Sequence, residues 1–77
     1  MNESGGSQKA TITISANGQP RAVRAGSTIA DLLREVSVTP SHVVVQMDGA
    51  IIPRGEFEQT ILHEGNTLEI VTLVGGG

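Results

Sequence analysis

Gly26-Ser27-Thr28-Ile29-Ala30-Asp31-Leu32-Leu33-Arg34-Glu35-Val36 is the stretch on which the fold turns. Ile29, Leu32, Leu33 and Val36 stand at i, i+3, i+4 and i+7, a spacing that gathers them on one side of a helix over about residues 28–36. Ser27 or Thr28 supplies a side-chain oxygen for the free amides at its start, and Asp31 suits the positive end of the helix dipole. Thr39-Pro40-Ser41 closes the helix, because the residue before a proline is pushed out of the α region. A single apolar stripe needs one apolar surface to cover, and the segments on either side read as strands.

Upstream, Ala10-Thr11-Ile12-Thr13-Ile14-Ser15 alternates apolar and polar residues as a half-buried strand does. Asn17-Gly18 favours the positive φ angles of a type I′ turn, so residues 19–24 return antiparallel. Downstream, Val43-Val44-Val45-Gln46-Met47 is a short β-branched run suited to a buried strand. Asp48-Gly49 turns the chain into a brief strand, Ala50-Ile51-Ile52, which Pro53 ends because proline cannot donate to a ladder. Residues 54–63 form a connection with room for a turn of helix, carrying Phe57, Ile61 and Leu62. Thr67 to Val74 is the last strand. The order β-β-α-β-β-β predicts an α+β, β-grasp fold with a mixed four- to five-stranded sheet and one helix packed on one face. A ferredoxin-like alternative would need a second long helix, for which residues 54–63 are too short. Residues 1–9, polar and rich in Gly and Ser, read as a disordered N-terminal extension; residues 10–74 form the domain, and residues 75–77 a flexible glycine tail.

Size and charge narrow the function. Seventy-seven residues make one domain, and a chain of this length buries only about 60% of its unfolded surface, so a deep private catalytic cavity is not expected. Eight acidic against five basic residues, with Phe57 the only aromatic, supply neither the basic patch nor the stacking platforms of a nucleic-acid binder. The absence of cysteine removes disulfides, thiolate nucleophiles and cysteine metal sites. The start of the chain has no basic and apolar leader, and no apolar run approaches the roughly 20 residues of a membrane span, so a cytoplasmic protein away from membranes is expected.

Internal chemistry finds little support. His42 and His63 have no metal-ligand spacing, no serine sits in a nucleophile elbow, and no glycine loop has phosphate-binding spacing. No catalytic residue and no metal site is therefore assigned. Glu56 with Glu58, and Glu64 with Glu69, read as solvated carboxylates. Arg54 after Pro53 serves either an acidic partner or a turn.

Gly75-Gly76-Gly77 differs because it follows a strand directly. A rigid body then holds out a thread that passes through a tight channel and adopts the φ and ψ the channel demands, since glycine has no Cβ. A carboxylate is a poor electrophile until a partner enzyme with ATP and a metal converts it to an acyl adenylate, whose AMP leaves easily. Sulfur can then attack, and the resulting thiocarboxylate stores sulfur on a chain that has no cysteine.

With these residues in view, the chain resembles the ThiS family of bacterial sulfur carriers over about residues 10–77. The resemblance rests on Asp48-Gly49-Ala50-Ile51-Ile52-Pro53-Arg54, on Phe57, on Glu64-Gly65-Asn66-Thr67-Leu68-Glu69-Ile70-Val71, on the closing Val74-Gly75-Gly76-Gly77, and less specifically on Thr28-Ile29-Ala30-Asp31-Leu32-Leu33. It implies a ubiquitin-like fold and a carrier that is not itself an enzyme. It implies adenylation of Gly77 by an E1-like partner of the ThiF kind, which uses ATP and Mg, and sulfur from a donor protein. Delivery is then to a thiazole synthase of the ThiG kind, for the thiazole of thiamine. Asp48 stands where an asparagine is frequent in the family and Asn66 where an aspartate is frequent, and residues 1–9 are an untypical addition.

In the last strand Leu68, Ile70, Thr72 and Val74 alternate with Glu69, Val71 and Leu73, so one set meets the helix and the other leaves aliphatic surface outside. Analogy with related carriers makes Val71 and Leu73, with Val74 and Arg54 nearby, the expected partner-docking residues; packing under residues 54–63 is the competing role. Three other functions share these features: the small subunit of molybdopterin synthase, a ubiquitin-like modifier conjugated to lysines, and a binding module with an incidental glycine end.

Overall fold

The computed structural model describes residues 10–73; the expected extension at residues 1–9, Val74 and the glycine tail at residues 75–77 lie outside the described residues. The elements are β1 (Thr11–Ala16), β2 (Gln19–Arg24), α1 (Ile29–Glu35), β3 (Val43–Met47), β4 (Ala50–Ile52) and β5 (Thr67–Thr72), with single 3-10 turns at Pro40–His42 and Arg54–Glu56. They build a five-stranded sheet in the order β2-β1-β5-β3-β4. The first and last strands lie side by side and parallel at its centre, and the other pairings are antiparallel. This is the mixed β-grasp sheet with one helix that the order of elements predicted.

One face of the sheet is apolar and carries α1. Ile14, Val23, Val43, Val45 and Leu68 from the strands, Ile29, Ala30, Leu32 and Leu33 from the helix, and Phe57 and Leu62 from the connection are all buried. Val36, at the end of the predicted stripe, is half-buried against them.

The start of α1 explains why Phe57 is there. Thr28 is the cap: its Oγ1 accepts from Asp31 N–H at 3.1 Å while Thr28 N–H donates to Asp31 Oδ2 at 3.0 Å. The helix's first two amides, Ile29 and Ala30, donate to the carbonyls of Thr60 and Phe57, both at 3.0 Å. Four amides at a helix start have no partner within the helix. Here the connection supplies two of the acceptors, and in doing so lays the Phe57 ring beneath the helix.

The end of α1 departs from the expectation. Pro40 does not stop the helix; it opens the short turn Pro40–His42. The stop comes three residues earlier at Ser37, whose φ is +62°. Ser37 N–H donates to Arg34 C=O at 3.2 Å and Val38 N–H to Leu33 C=O at 3.1 Å, the paired bonds of a Schellman ending. A left-handed conformation costs a residue with a Cβ roughly 1–2 kcal/mol that glycine does not lose, part of which glycine's freer unfolded chain returns. Ser37→Gly should therefore raise the urea midpoint by an amount equivalent to about 0.5–1 kcal/mol, without altering any contact.

Candidate functional site

The candidate site is the outer end of β5, the last strand before residues 74–77. Leu68 is fully buried and Ile70 half-buried on the helix side, whereas Glu69, Val71 and Leu73 point the other way. Val71 is 54% and Leu73 50% exposed, so the connection at residues 54–63 does not cover them. Val71 pairs in register with Val44 of β3, and Ile51 of β4 stands on the same open face, 61% exposed, across from Gln46. Val44, Ile51, Val71 and Leu73 thus form an aliphatic strip across three strands. Val44 and Ile51 are hard to see in the sequence, because β3 is an unbroken apolar run and β4 places Ile51 and Ile52 together. Alternation counted from the paired strand would have separated them.

The backbone stays hydrogen-bonded to the last described residue. Leu73 N–H donates to His42 C=O at 2.7 Å, which ties the last described residue to the start of β3.

Two turn residues contribute more than turn geometry. Asn17 and Asp48 take positive φ, +52° and +51°, each followed by a glycine in the same region, as the two-residue hairpins require. Beyond that, Asn17 Oδ1 accepts from Ile70 N–H at 2.6 Å and Asn17 Nδ2 donates to Ile70 C=O at 3.1 Å. After Asn17 N–H has donated to Leu68 C=O at 2.8 Å, the side-chain amide extends the ladder by one rung where β1 itself has turned away. Asp48 does the equivalent on the other flank: Oδ1 accepts from Thr67 N–H at 2.8 Å and Oδ2 from Asn66 Nδ2 at 2.6 Å.

The two departures from the ThiS pattern therefore touch each other. Asn66 Oδ1 also accepts from His63 N–H at 2.6 Å, so an asparagine at 48 with an aspartate at 66 would keep all three bonds with amide and carboxylate exchanged. Asn66→Asp alone sets two carboxylates against each other and should cost about 1 kcal/mol. The double variant Asp48→Asn, Asn66→Asp should recover to within about 0.5 kcal/mol of the parent, a coupling read from a double-mutant cycle of urea denaturations.

The other residues singled out in the sequence are placed as follows. Arg54 is exposed in the turn after β4. The Val45 to Ile52 register carries it toward the end of the sheet at which β5 reaches Thr72, and its guanidinium has no ion-pair partner among the described residues. His42 and His63 are exposed, and no group of three potential metal ligands occurs among the described residues. Asp31 is the one carboxyl with a clear perturbation: the Thr28 N–H and then the Arg34 guanidinium, 2.6 Å away, hold it below its ordinary range. This is helix-start chemistry. Among the described residues no helix is long and apolar enough to cross a membrane. Val74, Gly75, Gly76 and Gly77 lie outside the described residues.

Known proteins share the sequence pattern and the fold. The sequence model of the ThiS family matches residues 14–77. A crystal structure of a thiamine biosynthesis protein (ThiS) from Geobacter metallireducens superposes with a TM-score of 0.73 at 26% identity, covering 86% of this chain and all of that one. A thiazole synthase from Magnetococcus marinus is 34% identical over 66 residues, and one from Paramagnetospirillum magneticum 36% identical over 61. These matches cover 86% and 79% of this chain, which spans only 20% and 19% of those proteins. An uncharacterized protein, ycf40, from Pyropia yezoensis is 30% identical, and there the match covers 86% of this chain and 93% of the relative.

Proposed function

The chain belongs to the ThiS family, and from that membership we propose that it carries sulfur for thiamine biosynthesis on the carboxylate of Gly77. An E1-like partner uses Mg and ATP to join that carboxylate to AMP, with pyrophosphate released. Hydrosulfide supplied by a donor protein attacks the acyl carbon, the bond to AMP breaks, and a thiocarboxylate with AMP is the result. The thiocarboxylate then gives its sulfur to a thiazole synthase. In this scheme the chain provides a reactive end and its partners the catalysis, in the cytoplasm, where ATP is available.

The observation that carries the reading is the exposed strip Val71 and Leu73 on a strand held by a main-chain bond at its last described residue. A partner that grips this strip has the following glycines at a fixed starting point, and their lack of Cβ lets them enter a narrow channel. Arg54 at the same end of the sheet is a second contact for an acidic partner. Support for a thiazole synthase as acceptor comes from the two proteins of that name that contain a segment similar to this chain.

Intact mass spectrometry after incubation with ATP, an E1-like enzyme and a sulfide source tests the reading. A gain equal to sulfur minus oxygen supports it. High-mass conjugates would point to a protein modifier, and an unchanged mass would leave a binding module. Val71→Asp and Leu73→Asp should each lower kcat/KM for loading by roughly tenfold or more, since a charge in a desolvated contact costs at least the 1.4 kcal/mol that a factor of ten represents. Both variants should remain folded, with melting temperatures lowered by only a few degrees, because neither side chain is in the core and the strand preference at stake is about 1 kcal/mol.

A further inference from the structure

β5 outruns β1. The two strands pair only at Ser15 with Thr67 and Ala16 with Leu68, and the Asn17 side chain serves Ile70. Successive residues of a strand send their backbone groups to opposite sides. Leu73 N–H points to β3, so the N–H and C=O of Thr72 point to the side that β1 has vacated, and nothing among the described residues pairs with them. Beside this open edge is a groove of about 280 Å³ on the helix side of the sheet, lined by Pro20, Arg21, Val36, Val38, Ile70 and Thr72 among others. Arg21 completes the picture. The side chain is 40% exposed and its guanidinium end only approaches Glu35, at 4.0 Å, but its Nε is out of contact with solvent and has no hydrogen-bond partner among the described residues. Donors in that condition are rare because an unpaired one gives up its water for nothing.

Three features of one place have a common complement. A free strand edge takes an extended backbone, the walls from Pro20, Val36 and Val38 take an apolar side chain, and Arg21 takes an acceptor, best a carboxylate. We propose that this groove receives an extended segment of the thiazole synthase, carrying an acidic residue, which adds to β5 in the place β1 leaves empty and so holds the root of the tail from the side opposite the Val71 strip. The proposal rests on the sulfur-carrier reading. The thiazole synthase is preferred as occupant because the similar segments in two proteins of that name put a carrier-like body and a synthase on one polypeptide, where a standing contact between them is useful. The chain's own C-terminal residues are poor occupants: only five residues follow Thr72 in the sequence, too few to reverse and pair with that edge.

Hydrogen exchange of the full chain, alone and with a thiazole synthase, is the test. In the free carrier the Thr72 amide should exchange as an exposed strand-edge amide does; in the complex it should slow at least tenfold. Arg21→Leu should weaken the complex by about tenfold or more, and Glu35→Gln, which removes only the distant neighbour of Arg21, should leave it unchanged. An amide at Thr72 that exchanges equally fast in the complex would overturn the proposal, as would failure of the complex to form. Protection that appears in concentrated carrier alone would instead assign the edge to a second copy and overturn it too. Loading of Gly77 with sulfur, measured by mass in the same preparation, keeps the two ideas apart: a carrier that loads normally while Thr72 stays unprotected removes this interface and leaves the sulfur-carrier reading in place.

Discussion

A chain shortened by Gly77 should melt at the same temperature as the parent and accept no sulfur. Among the described residues those that are buried lie between Ile14 and Leu68, and a glycine has no side chain to add to such a core. Its loss shortens the thread by one residue, about 3.5 Å when extended. On the proposed mechanism the carboxylate must reach a phosphorus centre in a partner's site, and a misplacement of about 1 Å there can cost a hundredfold. Gly77→Ala is the finer probe. It restores the length and adds one methyl group, and on the proposed mechanism, in which glycines thread a narrow channel, loading should fall by at least tenfold. Both are read by intact mass, with circular dichroism melting as the control. Loading of the shortened chain at the parent's rate would remove Gly77 as the reactive residue.

Phe57→Ala should leave the protein largely unfolded at 37 °C. A chain of this size is held together by roughly 4–10 kcal/mol, and replacing a buried phenylalanine by alanine takes about 3–5 kcal/mol of it. Phe57 is 3% exposed, and its own carbonyl holds the Ala30 amide. Collapse of the void would therefore pull on the start of α1 as well. Phe57→Leu, which leaves a smaller void, should remain folded with a lower midpoint in urea. Far-ultraviolet circular dichroism at 37 °C distinguishes the two, and a folded, cooperative Phe57→Ala protein would mean that the connection is held by its hydrogen bonds more than by its ring.

How much of this was legible beforehand follows from what kind of signal each feature has. The hairpins were readable because Asn17-Gly18 and Asp48-Gly49 have a conformational preference of their own, which no distant residue alters. The helix was readable from its stripe, but its end was not, because serine at Ser37 has no strong preference for the left-handed region and only the bonds to Leu33 and Arg34 hold it there. The strip on the open face was half legible: β5 alternates cleanly, so Val71 and Leu73 stood out, whereas Val44 and Ile51 join it only once the register of β3 with its neighbours is known. What a single strand cannot announce at all is a contact such as Asn17 with Ile70 or Asp48 with Asn66, 53 and 18 residues apart. Each of these polar residues has a sufficient local reason to be where it is, and its second use appears only in three dimensions.

Asn17 also stands at the kind of spot where polypeptides age. When glycine follows asparagine, its unhindered nitrogen can attack the side-chain carbonyl, expel ammonia and, after hydrolysis of the ring, leave an acid where an amide had been. Here that carbonyl oxygen is occupied by the Ile70 N–H and the amide nitrogen by the Ile70 carbonyl, so the ring closes only in moments when the rung is open. Acid formed at this position would accordingly be a clock, one that counts how often β1 and β5 part company at Ile70.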